Sequence, residues 1–246
     1  MMIECDDVKK SFPIQRGRMR ETVGLARVLD GVTVSIEKGE VFGLVGESGC
    51  GKTTLGKIIL GILMPDSGSV RRATGRIQAI FQDPYNSLDP KMRVSDILAE
   101  GLILKRECAR MDVKMREVLD MVKLPQASLK KYPHQFSGGE RQRIAIARAV
   151  LTDPEFIVCD EPVSNLDITI QVQILTLLKA IQKRLSMTYL FISHDLRVIR
   201  FMCDRVAVMH GGRIIEEGPA ARVYSAPSQP YTKTLLSSVL DLYPKP

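Results

Sequence analysis

A glycine-rich octapeptide, GESGCGKT, has the residue types and spacing of a loop that holds phosphate groups. Its glycines allow backbone N–H groups to curl around an anion, and Lys52 adds a mobile positive charge. The Thr53 hydroxyl is a suitable ligand for Mg²⁺. The stretch comprises Gly46, Glu47, Ser48, Gly49, Cys50, Gly51, Lys52, Thr53 and the following Thr54. The pattern predicts a nucleotide site; the alternative is a glycine turn before an ordinary helix.

Two carboxylates follow a strongly apolar stretch, Phe156–Cys159, in the second half of the chain. Such a stretch predicts a buried strand, and side chains at the C-terminal end of a strand face the crevice where ligands of open α/β sheets bind. Beside a phosphate loop, Asp160 would hold Mg²⁺, and Glu161 would orient and deprotonate an attacking water. An acidic turn at the end of a strand is the alternative interpretation.

Two further stretches carry weaker signals of the same chemistry. His194 follows the apolar stretch Thr188–Ile192, and at a strand end in the same sheet it can hydrogen-bond a γ-phosphate. Ser137, Gly138 and Gly139 precede a helical pattern, and a helix N-terminus attracts anions. Read alone, a histidine of this kind is more often structural, and Ser137 is more often a helix cap than part of a ligand site.

The elements that must position these residues follow from hydrophobic periodicity. A buried strand at Val41–Val45 and a helix at Lys52–Met64 flank the glycine-rich stretch, which gives the strand–turn–helix context that a phosphate loop requires. Helical periodicity at Val94–Leu104 and Val113–Leu124 predicts a helical insert. The remaining predictions are strands at Ile3–Phe12, Val28–Ile36, Ser69–Phe81, Val206–Met209 and Arg213–Glu216, a helix at Glu140–Leu151, a helical tail, and a basic exposed loop at Pro13–Ala26.

Composition limits the class of protein. The chain has 246 residues, which is long enough for a full core. Its content of 45% apolar and 26% charged residues is ordinary for a soluble globular protein, and its net charge of +7 is moderate. The start has no secretory signal and no apolar stretch is long enough to span a bilayer, so we expect an intracellular protein. Five cysteines without a CxxC pair predict reduced thiols and signal neither a zinc site nor an iron–sulfur cluster.

Taken together, these motifs resemble those of the ATPase subunit of an ABC transporter, and the resemblance covers the whole chain. Gly46–Thr53 is similar to the Walker A motif of that family and Phe156–Glu161 to its Walker B motif. Phe136–Glu140, FSGGE, resembles the family signature LSGGQ, with Phe for Leu and Glu for Gln. Further matches are Gln82 with the Q-loop glutamine, Ser164–Asp167 with the D-loop, His194 with the H-loop, and Phe12 with the aromatic residue that stacks on adenine. A buried strand phenylalanine is the alternative for Phe12.

The resemblance implies an α/β P-loop NTPase fold, with a mixed parallel sheet core, an N-terminal antiparallel β subdomain and a helical insert. It implies a single domain over residues 1–246, with the core and β subdomain at 1–90 and 139–246 and the helical subdomain at about 91–138. The implied ligands are ATP and Mg²⁺. Implied roles are catalysis for Lys52, Glu161 and His194, nucleotide binding for the phosphate loop, Phe12, Gln82, Ser137, Gly138 and Gly139, and metal binding for Thr53, Gln82 and Asp160.

The resemblance also implies partners, because in this family two ATPase domains face each other and the signature of one caps the ATP held by the other. It implies a homodimer, or a heterodimer with a related ATPase subunit, on integral membrane permease subunits at the cytoplasmic face of the membrane. Phe81–Pro90 and Gln229–Leu236 are similar to the oligopeptide, dipeptide and nickel importer branch, which adds an extracytoplasmic solute-binding protein. The segment between Gly68 and Gln82 is shorter than usual in that branch, so peptide, nickel and another small solute remain open as the cargo.

Three other classes of protein remain as alternatives. One is a structural or regulatory subunit with an inactive site, against which the intact Lys52, Asp160, Glu161 and His194 argue. A soluble ABC-type ATPase that acts on DNA or ribosomes would usually add long coiled coils or a second copy of the domain, and neither is visible. A polybasic tract or an aromatic stacking pattern for nucleic acid is also absent from the sequence. A P-loop kinase or GTPase would not need the Ser-Gly-Gly helix start or His194, and the guanine-reading N-K-x-D is not present.

Overall fold

The computed structural model describes residues 1–16, 21–83, 87–106 and 108–240, which form two compact units. The first unit comprises Met1–Gly75 and the chain from Thr188 onward, and the second comprises Arg76–Met187. The described strands are β1 (Ile3–Arg16), β2 (Glu21–Ile36), β3 (Val41–Val45), β4 (Ser67–Arg72), β5 (Ile77–Ile80), β6 (Phe156–Asp160), β7 (Thr188–Ser193), β8 (Arg205–His210) and β9 (Arg213–Pro219). The described α-helices are α1 (Lys52–Ile59), α2 (Val94–Leu104), α3 (Met111–Met121), α4 (Gly138–Val150), α5 (Ile168–Leu185), α6 (Leu196–Met202), α7 (Ala220–Ser225) and α8 (Pro230–Leu240).

The antiparallel sheet of the first unit has the strand order β2-β1-β4, as expected for an N-terminal β subdomain. The prediction of a loop at Pro13–Ala26 is wrong for the described residues of this segment, which belong to β1 and β2, with Pro13 opposite Leu25 and Ile14 opposite Gly24. The predicted exposure is confirmed at Ile14, Val23 and Leu25. Arginines and glycines are typical of a loop. In the paired residues, however, hydrogen bonds between β1 and β2 satisfy the backbone N–H and carbonyl groups, and this pairing does not depend on composition. Residues 17–20, with Arg18 and Arg20 of this segment, lie outside the described residues.

A second group of strands in the first unit forms the parallel core. The central strand β3 pairs in parallel with β7 and β8, and β9 is antiparallel to β8. Every residue of β3 and β7 is buried, which explains their almost entirely apolar sequence. Gly43 is the exception in β3, and a Cβ there would lie 2.9 Å from side-chain atoms of Ile199 and Cys203. The glycine therefore allows α6 to pack closely on this strand.

The second unit combines one parallel strand pair with a group of helices. β5 and β6 pair in register from Ile77 opposite Phe156 to Ile80 opposite Cys159. The helical insert is confirmed, with α2 at the predicted bounds and α3 starting two residues and ending three residues earlier than predicted. Lys123, with a φ of 59°, lies just past the end of α3 in a left-handed conformation that stops the helix. The long helix α5 was absent from the sequence-based interpretation.

The mixed α/β class, with a parallel core, an N-terminal antiparallel sheet and a helical insert, is confirmed. The subdomain bounds inferred from the resemblance remain a prediction. One helix end differs from expectation in the first unit, because α1 stops at Ile59 and Gly61 follows with a φ of 77°. That glycine closes the helix with hydrogen bonds from Gly61 N–H to the Ile58 carbonyl and from Ile62 N–H to the Lys57 carbonyl. Within the described part of the chain, no helix has the length and apolar character needed to cross a bilayer.

Candidate nucleotide site

The glycine-rich stretch lies between the end of β3 at Val45 and the start of α1 at Lys52, as predicted. Gly51 occupies the N-cap position of α1 with a φ of 111°, and no side chain caps this helix. A Cβ at Gly51 would lie only 2.7 Å from the Val28 carbonyl oxygen. Both the left-handed conformation and the close backbone approach therefore require glycine immediately before Lys52.

The Lys52 ammonium is buried inside the loop, with only 5% of the residue exposed. Its Nζ donates hydrogen bonds of 2.8 Å to each of the carbonyl oxygens of Gly46 and Glu47, and lies 3.8 Å from the Cys50 Sγ. The first turn of α1 contains no acidic residue. A positive charge thus lies at the positive end of a helix with no acidic side chain in that turn, which is an arrangement that attracts an anion.

His194 lies at the same edge of the first unit as the phosphate loop. Because β3 and β7 run parallel with Val45 opposite Ser193, the loop that follows one strand and the histidine that follows the other leave the sheet side by side. His194 is exposed, whereas the preceding Ser193 is buried. The prediction that His194 can approach a phosphate held by the loop is consistent with this topology.

Phe12 lies on β1 opposite Ala26, and 37% of the residue is exposed. The alternative of a buried core phenylalanine is therefore wrong. The Lys10 ammonium lies 5.7 Å from the centroid of the Phe12 ring, so one part of the ring contacts a cation. The ring remains accessible to a flat ligand, and its assignment to adenine stays a prediction.

In the second unit, Gln82 and the acidic pair lie at one edge of the β5–β6 pair. Ile80 is opposite Cys159, so Gln82 and Asp160 both follow at the C-terminal ends of parallel neighbours. Asp160 is buried and Gln82 is exposed, and the Gln82 carbonyl oxygen accepts a hydrogen bond of 3.5 Å from Asn165 Nδ2 of the predicted D-loop. Pro84, Tyr85 and Asn86, of the segment Phe81–Pro90 that is similar to the importer branch, lie outside the described residues.

Glu161 has a left-handed backbone, with a φ of 49°. This conformation costs about 1–2 kcal/mol for a residue other than glycine. The turn is held by Ser164, whose N–H and hydroxyl both donate to the Glu161 carbonyl oxygen, at 3.3 and 3.2 Å. Such strain is typical of functional positions, because the surrounding structure must hold the side chain in place. No local sequence pattern predicts this conformation.

The predicted second anion site is the start of α4, and Ser137 is its N-cap as expected. The Glu140 carboxylate accepts hydrogen bonds from the Ser137 N–H at 2.8 Å and from the Ser137 hydroxyl at 2.7 Å. Both hydrogen bonds lower the pKa of Glu140, and the bond from the backbone N–H has the larger effect. Glu in place of the signature Gln therefore completes a capping box with a charged group. Gly139 is required for packing, since a Cβ there would lie 2.6 Å from the Ile170 Cγ2.

Two residues near these sites carry roles that sequence reasoning did not assign. Asp167, placed in the D-loop by resemblance, is the N-cap of α5 and accepts a 3.0 Å hydrogen bond from the Ile170 N–H. Its position just before an amphipathic stretch was the signal that could have revealed this helix. Tyr231, noted only as part of the tail, places its hydroxyl 3.3 Å from the Glu47 nitrogen. No local pattern connects residues so distant in sequence.

Comparison with known proteins gives concordant results. Residues 29–164 match the model of a family described as ABC transporter. A Brucella ovis protein named as a peptide import ATP-binding protein is 46% identical over 87% of this chain and 73% of its own length. The oligopeptide transport ATP-binding protein OppF of Bacillus subtilis is 43% identical over 97% of this chain and 82% of its own length. A solved dimeric ATP-binding cassette in a post-hydrolysis state with ADP and phosphate is 26% identical, with a TM-score of 0.74 over 89% of this chain and 99% of its own.

Proposed function

The chain belongs to the ABC transporter family, and we propose that within a transporter it hydrolyses ATP to drive the import of peptides. The observation that carries this proposal is the phosphate loop, where the buried Lys52 ammonium lies at the uncapped N-terminus of α1. The names of the two relatives favour peptides over nickel as the cargo. A soluble ATPase acting on DNA or ribosomes is not favoured, since both relatives are named for transport.

The phosphate loop would bind the β- and γ-phosphates of ATP through its backbone N–H groups and Lys52. The ammonium would keep the Gly46 and Glu47 carbonyls as partners and would donate its third N–H to a charged phosphate oxygen, which forms a stronger hydrogen bond. Phe12, already exposed on β1, would stack on the adenine ring.

The residues proposed to hold Mg²⁺ are Thr53, Gln82 and Asp160, and their chemistry fits that ion. They offer hydroxyl, amide and carboxylate oxygens, which are the hard ligands that Mg²⁺ prefers. When bound, the ion would neutralise charge on the β- and γ-phosphates. Thr53 belongs to α1, Asp160 is the last residue of β6, and Gln82 lies two residues after the end of β5.

Hydrolysis would use Glu161 as the general base. Glu161 takes one proton from a water molecule while the water oxygen forms a bond to the γ-phosphorus and the bond to the β-phosphate oxygen breaks. His194, exposed at the strand edge beside the phosphate loop, would donate a hydrogen bond to the γ-phosphate and stabilise its developing charge.

We further propose that two ATPase subunits act together, as a homodimer or as a heterodimer of related chains. The dimeric cassette with ADP and phosphate supports this arrangement. The start of α4, at Ser137, Gly138 and Gly139, would then cap the nucleotide held by the other subunit. Integral permease subunits would hold the dimer at the cytoplasmic face of the membrane, and an extracytoplasmic binding protein would supply the peptide; nucleic acid has no part in this function.

The experiment that tests the enzymatic role is Glu161→Gln. Loss of the general base should lower the ATP turnover number by about 10²–10⁴-fold while ATP still binds. Turnover measured by phosphate release and affinity measured by nucleotide titration separate the two effects. Glu117→Gln, an exposed acid on α3, is the matched control and should leave both unchanged. Near-normal turnover in Glu161→Gln would remove this residue from its proposed role.

The transport role needs a separate test. Affinity purification of the tagged chain from detergent-solubilised membranes should recover two permease subunits in a stable complex. ATPase activity of that complex in liposomes should rise when a peptide-loaded binding protein is added. Recovery of the chain with ribosomes or DNA, and without permeases, would instead establish the soluble alternative.

A further inference from the structure

The C-terminal helix reaches the phosphate loop, although the two are far apart in sequence. The Tyr231 hydroxyl of α8 accepts a hydrogen bond of 3.3 Å from the Glu47 N–H. That N–H belongs to the peptide group whose carbonyl is the Gly46 oxygen, and this oxygen accepts a 2.8 Å hydrogen bond from Lys52 Nζ. One peptide group of the loop is thus held at both ends, by Lys52 and by Tyr231.

The ring of Tyr231 is fixed by the end of a neighbouring strand. It lies against the His210 imidazole, with 4.0 Å between ring centroids and an interplanar angle of 36°. The residue before His210 is Met209, and a Cβ on Gly46 would lie 2.1 Å from the Met209 carbonyl oxygen. The end of β8 therefore supports both the first glycine of the loop and the tyrosine that contacts the loop.

A buried carboxylate anchors the segment that carries Tyr231. Glu216, on β9, is only 6% exposed and accepts hydrogen bonds from the Ser228 N–H at 2.7 Å, the Ser228 hydroxyl at 2.8 Å and the Gln229 N–H at 3.1 Å. Burial raises the pKa of Glu216, but the hydrogen bonds outweigh it and lower the pKa to about 2. The start of α8 is therefore attached to the sheet by a group that stays ionised at neutral pH.

The orientation of the Gly46–Glu47 peptide group matters for an anion. In the observed orientation the Gly46 carbonyl oxygen points to the Lys52 ammonium and the N–H points to Tyr231. If the peptide group rotated, its partially negative oxygen would leave the ammonium and could face a phosphate group, which would be repulsive. A hydrogen bond that opposes this rotation therefore favours binding of phosphate.

We propose that Tyr231 is a positioning residue for the nucleotide: its hydroxyl holds the Gly46–Glu47 peptide group in the orientation that ATP binding requires. This inference rests on the proposed ATP-binding function. It assigns a role to the C-terminal segment, which becomes part of the support of the phosphate loop. A hydrogen bond of this kind affects binding of ADP and ATP alike, since both contain the β-phosphate.

The test is Tyr231→Phe in the full chain, which removes the hydroxyl and keeps the ring on His210. We expect the Kd for ADP, measured by calorimetric titration, to rise by about 3–10-fold, the effect of one neutral hydrogen bond. In ATP hydrolysis the KM should rise by about the same factor while kcat stays within about twofold, because uniform binding is lost. A merely structural role for the hydroxyl would lower the melting temperature without this split between KM and kcat.

Tyr224→Phe is the matched control, because it also removes a tyrosine hydroxyl bonded to the backbone in the same unit, at the Leu196 carbonyl. It should lower stability and leave the Kd for ADP unchanged. A second pair of variants tests the support of the ring: His210→Ala should weaken ADP binding more than His210→Phe, which retains a ring for the contact.

The outcomes separate the two proposals. If the parent chain binds ADP and ATP but Tyr231→Phe binds ADP with the parent's affinity, the positioning role is wrong and the ATPase function stands. If Tyr231→Phe does not fold, the His210 variants decide the question. Equal ADP affinities of His210→Ala and His210→Phe would then contradict the positioning role of Tyr231. If the parent chain binds neither nucleotide, the proposed function itself fails, and the role of Tyr231 fails with it.

Discussion

Two helices of this protein start at glycine-containing segments, and they differ in whether side chains cap their N-termini. α1 begins at Lys52 after Gly51, with no side-chain cap and no acid in its first turn. α4 begins after Ser137 with a complete capping box, in which the Glu140 carboxylate accepts two hydrogen bonds from Ser137. Both ends carry the partial positive charge of a helix N-terminus, but only α4 brings its own anion to it.

The same local feature, a helix N-terminus, is therefore suited to binding an anion in α1 and to local stability in α4. An end without its own acid, reinforced by a buried ammonium, leaves its charge for a ligand, as the phosphate loop does. An end with a bonded carboxylate is already neutralised, so an external phosphate must compete with that carboxylate. We therefore expect ligand affinity to depend chiefly on α1 and local stability to depend on the cap of α4.

The largest effect, on ATP affinity, is expected for Lys52→Ala. Removal of the ammonium should lower the affinity for ATP by about 10²–10³-fold, because charge-assisted hydrogen bonds to phosphate are lost. Calorimetric titration with ATP measures the change. Lys57→Ala removes an exposed lysine from the last turn of the same helix and serves as the control. An affinity within about threefold of the parent for Lys52→Ala would contradict the assignment of α1 as the ligand site.

A smaller effect is expected when a glycine at the start of each helix is replaced by alanine. Gly51→Ala should lower the free energy of unfolding by about 2–4 kcal/mol, because the residue has a φ of 111° and its new Cβ would meet the Val28 carbonyl oxygen. Gly139→Ala should cost about 1–2 kcal/mol, since its Cβ would meet the flexible Ile170 side chain instead. Urea denaturation compares the two variants directly. A larger loss of unfolding free energy for Gly139→Ala than for Gly51→Ala would show that close contact with backbone atoms is not what distinguishes the two helix starts.

The smallest effect is expected for Glu140→Gln, which keeps an acceptor for Ser137 but removes the charge. The folded-state pKa of Glu140 is lowered, so its charge contributes stability above the ordinary value of 4.5, and this contribution declines as the pH falls below 4.5 towards the lowered pKa. At pH 7 the variant should be less stable than the parent by about 0.3–1 kcal/mol.

Urea denaturation of Glu140→Gln and the parent between pH 7 and pH 3.5 provides the measurement, and the difference in the free energy of unfolding should shrink over the acid part of this range. Asp112→Asn, another acid in the first turn of a helix, α3, is a suitable comparison because no capping box includes it. A difference for Glu140→Gln that stays constant across the whole pH range would show that its carboxylate charge does not stabilise α4.

Features that depend on neighbouring residues could be predicted from the sequence. The strand Val41–Val45, the turn and the first residue of α1 were predicted correctly, since the glycines, lysine and apolar residues that define them are contiguous. The Ser137 cap and the bounds of α2 were also predicted, because caps and helical periodicity are local signals. The parts of β1 and β2 that lie within Pro13–Ala26 were missed, since their pairing is set by the opposite strand rather than by composition.

The sequence by itself determined which groups have chemistry suited to a nucleotide: the phosphate loop, the acidic pair after a buried strand, and a histidine after another. Only the tertiary structure decided how these groups are held, with Val45 beside Ser193 in parallel strands and Tyr231 bonded to Glu47 across 184 positions of sequence. The physical reason is that residue types and spacing fix local conformation and chemistry, whereas strand register and the docking of distant helices follow from packing of the whole unit.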